Sequence, residues 1–274
     1  MLDLSIVIVN YNARGLLRQC LRSLLENVQG SLLTWKIVLV DNNSSDDSIA
    51  MVREQFADVR LIPLEENGGY AKGVNVGIRS LEARYYLILN MDTTIVQPHA
   101  IERMVSYMEA HPDVGLAGPK LINPNGTTQA SSCIFPRFWY PLYRRTFVGK
   151  LRFAKKAIHQ YLMLDWDHDD TRPVDWVIGT GMMVRNDAIQ HVGLMDERFF
   201  MYFEDVDWCR RFWEHEWKVV YIADVEIVHY HGRESAKQSG MVSVIVSKQT
   251  RIHVSSWIKY FLKYSGKEPV HAKK

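Results

Sequence analysis

Cysteine is scarce in this sequence, with three residues in a chain of 274. Cys20, Cys133 and Cys209 lie far apart, and their odd number and spacing fit neither a disulfide framework nor a CxxC metal site. Disulfides persist in oxidising compartments and are rare in reducing ones. The cysteine pattern therefore predicts a protein of a reducing compartment.

Long apolar runs and targeting signals are also missing. No apolar run approaches the roughly 20 residues that a membrane-spanning helix needs. The N-terminus opens with Asp3 and a short Val/Ile run, and it lacks the basic flank and cleavage site of a signal peptide. We therefore predict a cytoplasmic protein whose membrane contact is at most peripheral, at the inner face of the plasma membrane.

Acidic residues are absent between Asp113 and Asp165, although basic and aromatic residues are frequent there. We name residues 135–156 the basic–aromatic segment. One hypothesis is that it docks at anionic lipid headgroups, where each basic residue adds about 1 kcal/mol. The equal alternative is an acceptor-site lid whose aromatic rings pack on the core. A second patch predicted to assist docking consists of Trp257, Lys259, Tyr260, Phe261, Lys263 and Tyr264. No nucleic-acid-binding fold accompanies these residues, so nucleic acid is not a predicted partner.

The first 120 residues alternate short β-branched runs with stretches of helical periodicity. This rhythm predicts an α/β fold with a doubly wound, mostly parallel sheet that binds ligands at the carboxyl ends of its strands. We predict one domain over residues 1–240, with a nucleotide-binding half (1–120) and an acceptor-binding half (121–240). Residues 241–274 are predicted to form an amphipathic helix and a basic tail.

The second half of the chain is less regular. The pattern predicts a strand over residues 177–184 and a helix that begins near Glu204. It also predicts a hairpin made of strands 219–222 and 226–230, followed by a helix over 242–264.

Polar clusters follow the predicted strands of the first half. Asn10 and Tyr11 follow strand one, and Asp41 follows strand two. A carboxylate at a strand end can accept the imino N–H of a pyrimidine base, and Tyr11 is placed to stack on that base. The alternative is that residues 41–46 only end a strand and cap the next helix.

A glycine-rich cluster, residues 67–75, precedes and enters the third predicted helix. Glycines there let backbone N–H groups approach a phosphate, although a simple helix-initiating turn also needs glycine. The glycine-rich turn of a dinucleotide-dependent oxidoreductase follows the first strand rather than the third. The cluster therefore counts against that class of enzyme.

Carboxylates and a histidine later in the chain suggest catalysis. A divalent cation that bridges Asp92 to phosphate oxygens would relieve the charge of a departing diphosphate. Asp205 lies in a run of three acids and is either a general base or part of a favourable helix N-terminus. His229 closes a predicted strand and is either a metal ligand or a structural histidine.

Seven segments of the chain, taken together, resemble family 2 glycosyltransferases with the GT-A fold, in particular the rhamnosyltransferase-like bacterial branch. They occur in the family's order, span residues 4–235, and read SIVIVNYN, VLVDNNSSDDS, ENGGYAKGVNVGI, LILNMDTTI, GTGMMVRNDAI, FFMYFEDVDWCRRF and HYHGRES. The resemblance implies that a nucleoside-diphosphate sugar binds to the following residues: Asn10, Tyr11, Asp41, Asn67, Gly69, Lys72, Asn75, Asn90, Asp92 and Glu204.

The resemblance also implies the metal and the base. Asn90 and Asp92 match the ends of the family's Asp-X-Asp motif for Mn²⁺ or Mg²⁺, with asparagine in place of the first aspartate. His229 matches the late histidine ligand, and His231 is the alternative. Asp205 matches the presumed base of a single displacement that inverts the anomeric carbon.

The implied function is transfer of rhamnose or another deoxysugar to a glycan or lipid-linked acceptor in bacterial cell-surface polysaccharide or lipopolysaccharide biosynthesis. Two rival functions remain open. A sugar nucleotidyltransferase uses a similar sheet, but it generally has a Gly-rich, Arg- and Lys-bearing loop after strand one. A non-catalytic sugar- or lipid-binding module would retain the fold but would not need Asp92, Asp205 and His229 together.

Overall fold

The structure is a computed structural model that describes residues 1–140, 143, 147–230 and 247–271. Eleven strands are β1 Leu2–Asn10, β2 Trp35–Asp41, β3 Arg60–Pro63, β4 Ala83–Asn90, β5 Thr93–Thr94, β6 Val114–Ile122, β7 Ser132–Cys133, β8 Arg172–Pro173, β9 Trp176–Val177, β10 Gly181–Arg185 and β11 Lys218–His229. Eight α-helices are α1 Arg14–Val28, α2 Ser48–Gln55, α3 Tyr70–Ser80, α4 Ala100–Ala110, α5 Arg152–Tyr161, α6 Asn186–Val192, α7 Glu204–Glu214 and α8 Lys248–Lys263. These counts refer to the described residues.

The central sheet has the strand order β3-β2-β1-β4-β10-β6-β11-β5. Neighbours β3, β2, β1 and β4 run parallel, as do β6 and β11, whereas β10 runs antiparallel between β4 and β6. The predicted α/β fold with a mostly parallel sheet is therefore confirmed. Because β1, β2 and β4 are parallel, their carboxyl ends meet at one edge of the sheet.

Each face of the sheet is covered by helices and carries its own core. In β1, Leu4, Ile6 and Ile8 pack in one cluster, whereas Val7 and Val9 pack in the other. This alternation follows from the two-residue period of a strand, and continuous apolar runs arise because both faces are buried. All three cysteines are buried, and none of them forms a disulfide.

Helix α3 lies unusually close to β1. A Cβ atom added at Gly77 would lie 2.3 Å from a side-chain carbon of Val7. This close packing fixes the start of α3 near the end of β1, where the polar clusters gather.

Two predicted elements of the second half were wrong in detail. Residues 177–184 form two strands, β9 and β10, because residues 178–180 leave β9 and cross to the central sheet. The predicted hairpin of 219–230 is one strand, β11, whose register with β6 shifts between Ile222 and Glu226. The residues predicted to turn form a bulge, which allows the chain to continue in the same direction.

The C-terminal helix α8 packs against residues of the second half of the chain. Tyr260 and Tyr264 are buried, and Lys263 donates to Asp196 and Asp207 at 2.7 and 2.5 Å. The prediction of a membrane patch that also includes Trp257, Lys259 and Phe261 is therefore wrong for Tyr260, Lys263 and Tyr264. The predicted domain boundary at 240/241 lies outside the described residues.

Candidate active site

The first polar cluster joins the ends of β1 and β2. Asn10 donates to Asp41 Oδ2 at 2.8 Å and to Ser44 Oγ at 3.1 Å, and Asp41 Oδ1 accepts the Ser44 backbone N–H at 2.8 Å. Asp41 has 0% exposure. Its carboxylate holds the loop, and the direct contact with a base stays a prediction. Tyr11, which is 45% exposed, remains placed for stacking.

The glycine-rich cluster uses its backbone donors within the protein. Gly68 N–H donates to Asn42 Oδ1 and Gly69 N–H to Asn67 Oδ1, both at 3.0 Å. Tyr70 N–H donates to the Phe200 carbonyl at 2.7 Å. These three N–H groups therefore have partners within the protein, and a phosphate contact by the cluster stays a prediction.

Gly69 instead permits contact with a distant loop. Its φ of +88° is in the left-handed region, and an added Cβ would lie 2.2 Å from the Phe200 carbonyl oxygen. Any other residue would separate the two segments. This contact brings the start of α3 against the chain that leads into α7.

Two other residues predicted to line the donor pocket have partners elsewhere. Lys72 forms an exposed ion pair with Glu66 at 3.0 Å. Asn75 is buried, donates to the Met195 carbonyl and to Glu197, and accepts the Met195 N–H. Its amide holds residues 195–197 in place, and a role for Asn75 in the donor pocket stays a prediction.

Asp92 and His229 face each other where β5 meets β11. The strands pair antiparallel, with Thr93 opposite His229, and Tyr230 N–H donates to the Asp92 carbonyl at 2.8 Å. His229 Nε2 lies 3.4 Å from Asp92 Oδ2. The predicted pair of metal ligands, 137 residues apart in the chain, is therefore brought together, although a metal at this position stays a prediction.

Gln129 orients the His229 ring. Its amide nitrogen donates to the Asn123 side chain and to the His229 carbonyl, which leaves Oε1 to face His229 Nδ1 at 2.9 Å. An acceptor at Nδ1 favours the tautomer with its proton there and directs the Nε2 lone pair toward Asp92. Sequence reasoning missed Gln129 because no local pattern relates it to β11.

These residues fit a divalent cation. Asp92 Oδ1 is buried and has no hydrogen-bond partner among the described residues, and a histidine nitrogen with an oriented lone pair faces Oδ2. Carboxylate oxygens and imidazole nitrogens are both ligands to Mn²⁺. Within the described ranges no group of three His, Cys, Asp or Glu side chains gathers, so a nucleotide would have to complete the ligand set. His231, the alternative ligand, lies outside the described residues.

Asn90 lies beside this pair and joins it to the rest of the edge. Its backbone N–H donates to the Thr180 carbonyl at 3.0 Å, and its carbonyl accepts the Thr93 hydroxyl at 2.7 Å. Residues 90–93 are thereby tied to the loop between β9 and β10, and that loop also reaches the acidic run.

The acidic run begins helix α7. Asp205 Oδ2 accepts the Gly179 N–H at 3.0 Å and Oδ1 accepts the Val206 N–H at 2.8 Å. Tyr202 and Phe203, just before it, both have φ of +69°, which is strained for non-glycine residues. Such strain is frequent at functional sites, where surrounding contacts keep the backbone in place.

Burial raises the pKa of both Glu204 and Asp205 above their ordinary values. For Glu204 the neighbouring Asp205 carboxylate adds to this rise, whereas backbone donors offset part of it for Asp205. A carboxylate that holds its proton more tightly is a better proton acceptor when ionised. The environment of Asp205 therefore suits a general base.

Tyr70 and Gly179 connect these parts, and sequence reasoning assigned neither a role. The Tyr70 hydroxyl donates to the Gly179 carbonyl at 2.6 Å. Burial raises the pKa of Tyr70, and the negative charges of Glu204, Asp205 and Asp92 raise it further. The half-buried Tyr70 and the predicted base Asp205 therefore both bind Gly179.

The basic–aromatic segment divides into an inner and an outer part. Phe135 and Tyr140 are buried in the core that includes Trp176. The outer part exposes these residues: Arg137, Phe138, Trp139, Phe147, Lys150, Leu151, Arg152, Phe153, Lys155 and Lys156. Arg144 and Arg145 lie outside the described residues. No helix of the described chain is long and apolar enough to cross a bilayer.

Solved structures share this fold. The chain superimposes on Staphylococcus aureus TarS 1–349 with a TM-score of 0.56 at 15% identity, covering 83% of this chain and 60% of TarS. It superimposes on GalNAc-T7, crystallised with UDP, GalNAc and Mn²⁺, with a TM-score of 0.64 at 14% identity, covering 84% of this chain and 43% of that one. Both neighbours are GT-A glycosyltransferases. The predicted GT-A fold is confirmed.

Two relatives of this chain are named as rhamnosyltransferases. The N-acetylglucosaminyl-diphospho-decaprenol L-rhamnosyltransferase of Mycobacterium tuberculosis is 26% identical over 92% of this chain and 84% of its own length. The dTDP-rhamnosyl transferase RfbF of Shigella flexneri is 27% identical over 75% of this chain and 63% of its own length.

Two family models match the chain. The model "Glycosyl transferase family group 2" matches residues 85–259. The model "Glycosyl transferase family 2" matches residues 5–161, which is more than half of the sequence. With the matching fold and relatives, this protein belongs to glycosyl transferase family 2 and is a glycosyltransferase.

Proposed function

We propose that this protein is an inverting glycosyltransferase that moves a deoxysugar from a nucleoside diphosphate to a hydroxyl of a lipid-linked acceptor. One observation carries the proposal: the loop between β9 and β10 binds Asp205 through the Gly179 N–H and Asn90 through the Thr180 carbonyl, and His229 faces Asp92. A base and a site for the leaving group's counter-ion therefore share one edge of the sheet, as a displacement at a sugar carbon requires.

On the donor side, Tyr11 is the exposed ring for the base, and Asn10, Asp41 and Ser44 hold the loop beside it. Asp92 and His229 would hold Mn²⁺ or Mg²⁺, which supplies positive charge against the diphosphate. Gln129 keeps the Nε2 atom of His229 turned toward Asp92. The identity of the metal and of the base belongs to this proposal.

On the acceptor side, Asp205 takes the proton of the attacking hydroxyl. The hydroxyl oxygen forms a bond to the anomeric carbon as the bond from that carbon to the diphosphate oxygen breaks, so the configuration inverts. General base help of this kind contributes about 10²–10⁴-fold. The Gly179 N–H fixes one oxygen of Asp205, which leaves its direction set before the acceptor arrives.

The donor and acceptor classes are proposed from the relatives. Two of them are named for rhamnosyl transfer, one of these for a dTDP donor and one for a diphospho-decaprenol acceptor. We therefore propose dTDP-rhamnose or a related deoxysugar nucleotide as donor. A lipid-linked acceptor would place the enzyme at the inner face of the plasma membrane.

The exposed part of the basic–aromatic segment supports peripheral membrane contact. Phe147 is 73% exposed and Phe153 57%, and basic side chains lie beside them in the sequence. Co-sedimentation with liposomes that contain phosphatidylglycerol tests the contact at low salt. Binding should weaken in Phe147→Ser/Phe153→Ser, and equal binding by wild type and variant would contradict this surface.

A donor screen tests the function. The protein is incubated with UDP-, GDP- and dTDP-sugars, with Mn²⁺ or with EDTA, and both thermal shift and nucleoside diphosphate release are measured. We expect stabilisation by one nucleotide class only with the metal present. Release of pyrophosphate instead would indicate a nucleotidyltransferase, and stabilisation without release when acceptor is supplied would indicate a binding module.

A further inference from the structure

A cationic pocket lies between helix α8 and the loop before α7, outside the donor side. Its volume is about 280 Å³, and its walls are formed by Phe200, Lys248, Arg251, Ile252, Ser255, Ser256 and Lys259. None of these described lining residues is acidic. The sequence also has no Asp or Glu between Glu234 and Glu268, so the positive charge of this helix face is not offset along the chain.

The pocket has the chemistry that binds phosphate. Lys248, Arg251 and Ser255 lie at positions i, i+3 and i+7 of α8, so they project from one face of the helix. All three are exposed. Guanidinium, ammonium and hydroxyl donors on one face match a phosphate or diphosphate group, which accepts several charge-assisted hydrogen bonds.

Exposed apolar residues continue from the pocket along the same helix. Ile258 is 46% exposed and Leu262 is 72% exposed, and they follow Ser255 at i+3 and i+7. A ligand that places its anion on Arg251 therefore has an apolar strip beside it. An amphiphile, with a phosphate head on a hydrocarbon chain, fits this order of side chains better than a water-soluble nucleotide does.

The helix that lines the pocket contacts the loop that precedes α7. Ser256 donates to the Met201 carbonyl at 2.9 Å, and the rings of Tyr202 and Phe203 lie 5.0 and 5.5 Å from that of His253. These residues carry the strained backbone that leads directly to Glu204 and Asp205. The helix that lines the pocket therefore contacts the loop from Phe200 to Phe203, which leads to the proposed base.

We propose that this pocket binds the diphosphate of a lipid-linked acceptor and so positions the acceptor sugar in front of Asp205. This inference rests on the proposed function, because it assumes that the substrate of the acceptor side is a lipid-linked sugar. It assigns to Lys248 and Arg251 a role in acceptor binding that is separate from the metal pair at Asp92 and His229.

The test measures binding without catalysis. Farnesyl diphosphate in neutral detergent micelles is titrated into the full chain, with EDTA present so that no metal can hold the diphosphate at Asp92. We expect Lys248→Ala/Arg251→Ala to bind at least about tenfold more weakly than wild type. Alanine is favourable in an exposed helix, so this variant should fold. Binding equal to that of wild type would overturn the proposal.

A charge-matched control separates the pocket from the basic–aromatic segment. Lys155→Ala/Lys156→Ala also removes two exposed positive charges, and it should bind farnesyl diphosphate within about twofold of wild type. Micelles that contain phosphatidylglycerol instead of farnesyl diphosphate test a lipid headgroup as the source of the phosphate. If phosphatidylglycerol binds as tightly as farnesyl diphosphate and the pocket variant loses both equally, the pocket recognises headgroups and the acceptor assignment is wrong.

A donor measurement distinguishes this inference from the proposed function. The thermal shift of Lys248→Ala/Arg251→Ala with nucleotide sugar and Mn²⁺ should equal that of wild type. If no nucleotide sugar stabilises wild type, the proposed function fails. If nucleotide sugars stabilise both proteins and farnesyl diphosphate binding does not depend on the pocket, only the further inference fails.

Discussion

The donor side and the acceptor side of this site are held in place by different means. On the donor side, Asn10, Asp41 and Asp92 follow directly from parallel strands, and their neighbours in the sheet bring them together. On the acceptor side, Asp205 depends on Gly179 and on a helix whose contacts come from about 50 residues further along the chain. The sheet therefore positions the proposed donor residues, whereas long-range packing positions the proposed base, Asp205.

The ion pairs on the two sides show the same difference. On the donor side, Asp3 pairs with Arg84 at the far end of β1, where both side chains are partly exposed. On the acceptor side, Asp207 is fully buried and is bound by Arg211, Lys263 and Tyr264. Losing one partner of a buried carboxylate costs more than losing an exposed pair. The acceptor side should thus be more sensitive to single substitutions.

The largest expected effect is on the base itself. Asp205→Asn should lower turnover by about 10²–10⁴-fold, because the amide accepts no proton from the acceptor hydroxyl. The affinity for the nucleotide sugar, measured by calorimetry, should change by less than about threefold. Equal loss of turnover and of donor affinity would mean that Asp205 is structural and would remove the distinction between the two sides.

The next effect tests Gln129, which contacts the proposed metal ligand His229 rather than the metal. Gln129→Leu removes the acceptor from His229 Nδ1, so we expect Mn²⁺ affinity to fall by about 10–100-fold. Manganese binding in the presence of nucleoside diphosphate is followed by electron paramagnetic resonance. Gln129→Glu keeps an acceptor at Nδ1 and should recover most of the affinity. Unchanged affinity in the leucine variant would contradict the assigned tautomer.

A stability measurement tests the long-range support of the acceptor side. Lys263→Met removes charged hydrogen bonds to Asp196 and Asp207, and it should lower the free energy of unfolding by about 1.5–3 kcal/mol. Denaturation by urea measures the change. Lys36→Met on β2 is the matched control, because Lys36 is also partly exposed but forms no ion pair with the described residues, and it should change the free energy of unfolding by less than about 0.5 kcal/mol. Equal effects would show that α8 does not stabilise this side.

The raised pKa of Glu204 predicts how stability depends on pH. Because the folded protein holds this proton more tightly than the unfolded chain, the stabilisation is complete below the unfolded value of about 4.3 and is lost as pH rises through the folded value. Glu204→Gln should remove this loss. The difference in unfolding free energy between variant and wild type should therefore grow from pH 4 to pH 8, and a constant difference would contradict the direction of the shift.

The smallest effect is expected at the exposed pair of the donor half. Hydrogen bonds from Thr34, assisted by Arg84, lower the pKa of Asp3 to about 2. The stabilisation it gives is present above the unfolded value of about 3.9 and is lost as pH falls toward 2. Asp3→Asn should cost less than about 1 kcal/mol at pH 7, as exposed pairs do. Urea denaturation measures the loss of unfolding free energy in this variant, and that loss should be smaller than the loss in Lys263→Met.

The sequence by itself determined the parallel sheet and the residues at its strand ends. Apolar runs such as residues 4–9 can only be buried on both faces, and the polar residues after them then lie at one edge. The start of α7 at Glu204 and the late position of His229 were also readable from local pattern. Asp92, Asp205 and His229 are therefore predictable as site residues from the sequence.

Only the tertiary structure decided which polar groups are available to a ligand. Asp41 and Asn75 have the residue types of a binding site, but their hydrogen bonds are taken by Ser44 and by Met195. The glycine-rich cluster contacts Phe200, and Gln129 orients a histidine 100 residues away. Hydrogen-bond partners and burial depend on contacts between distant segments. The periodicity of the sequence does not predict those contacts.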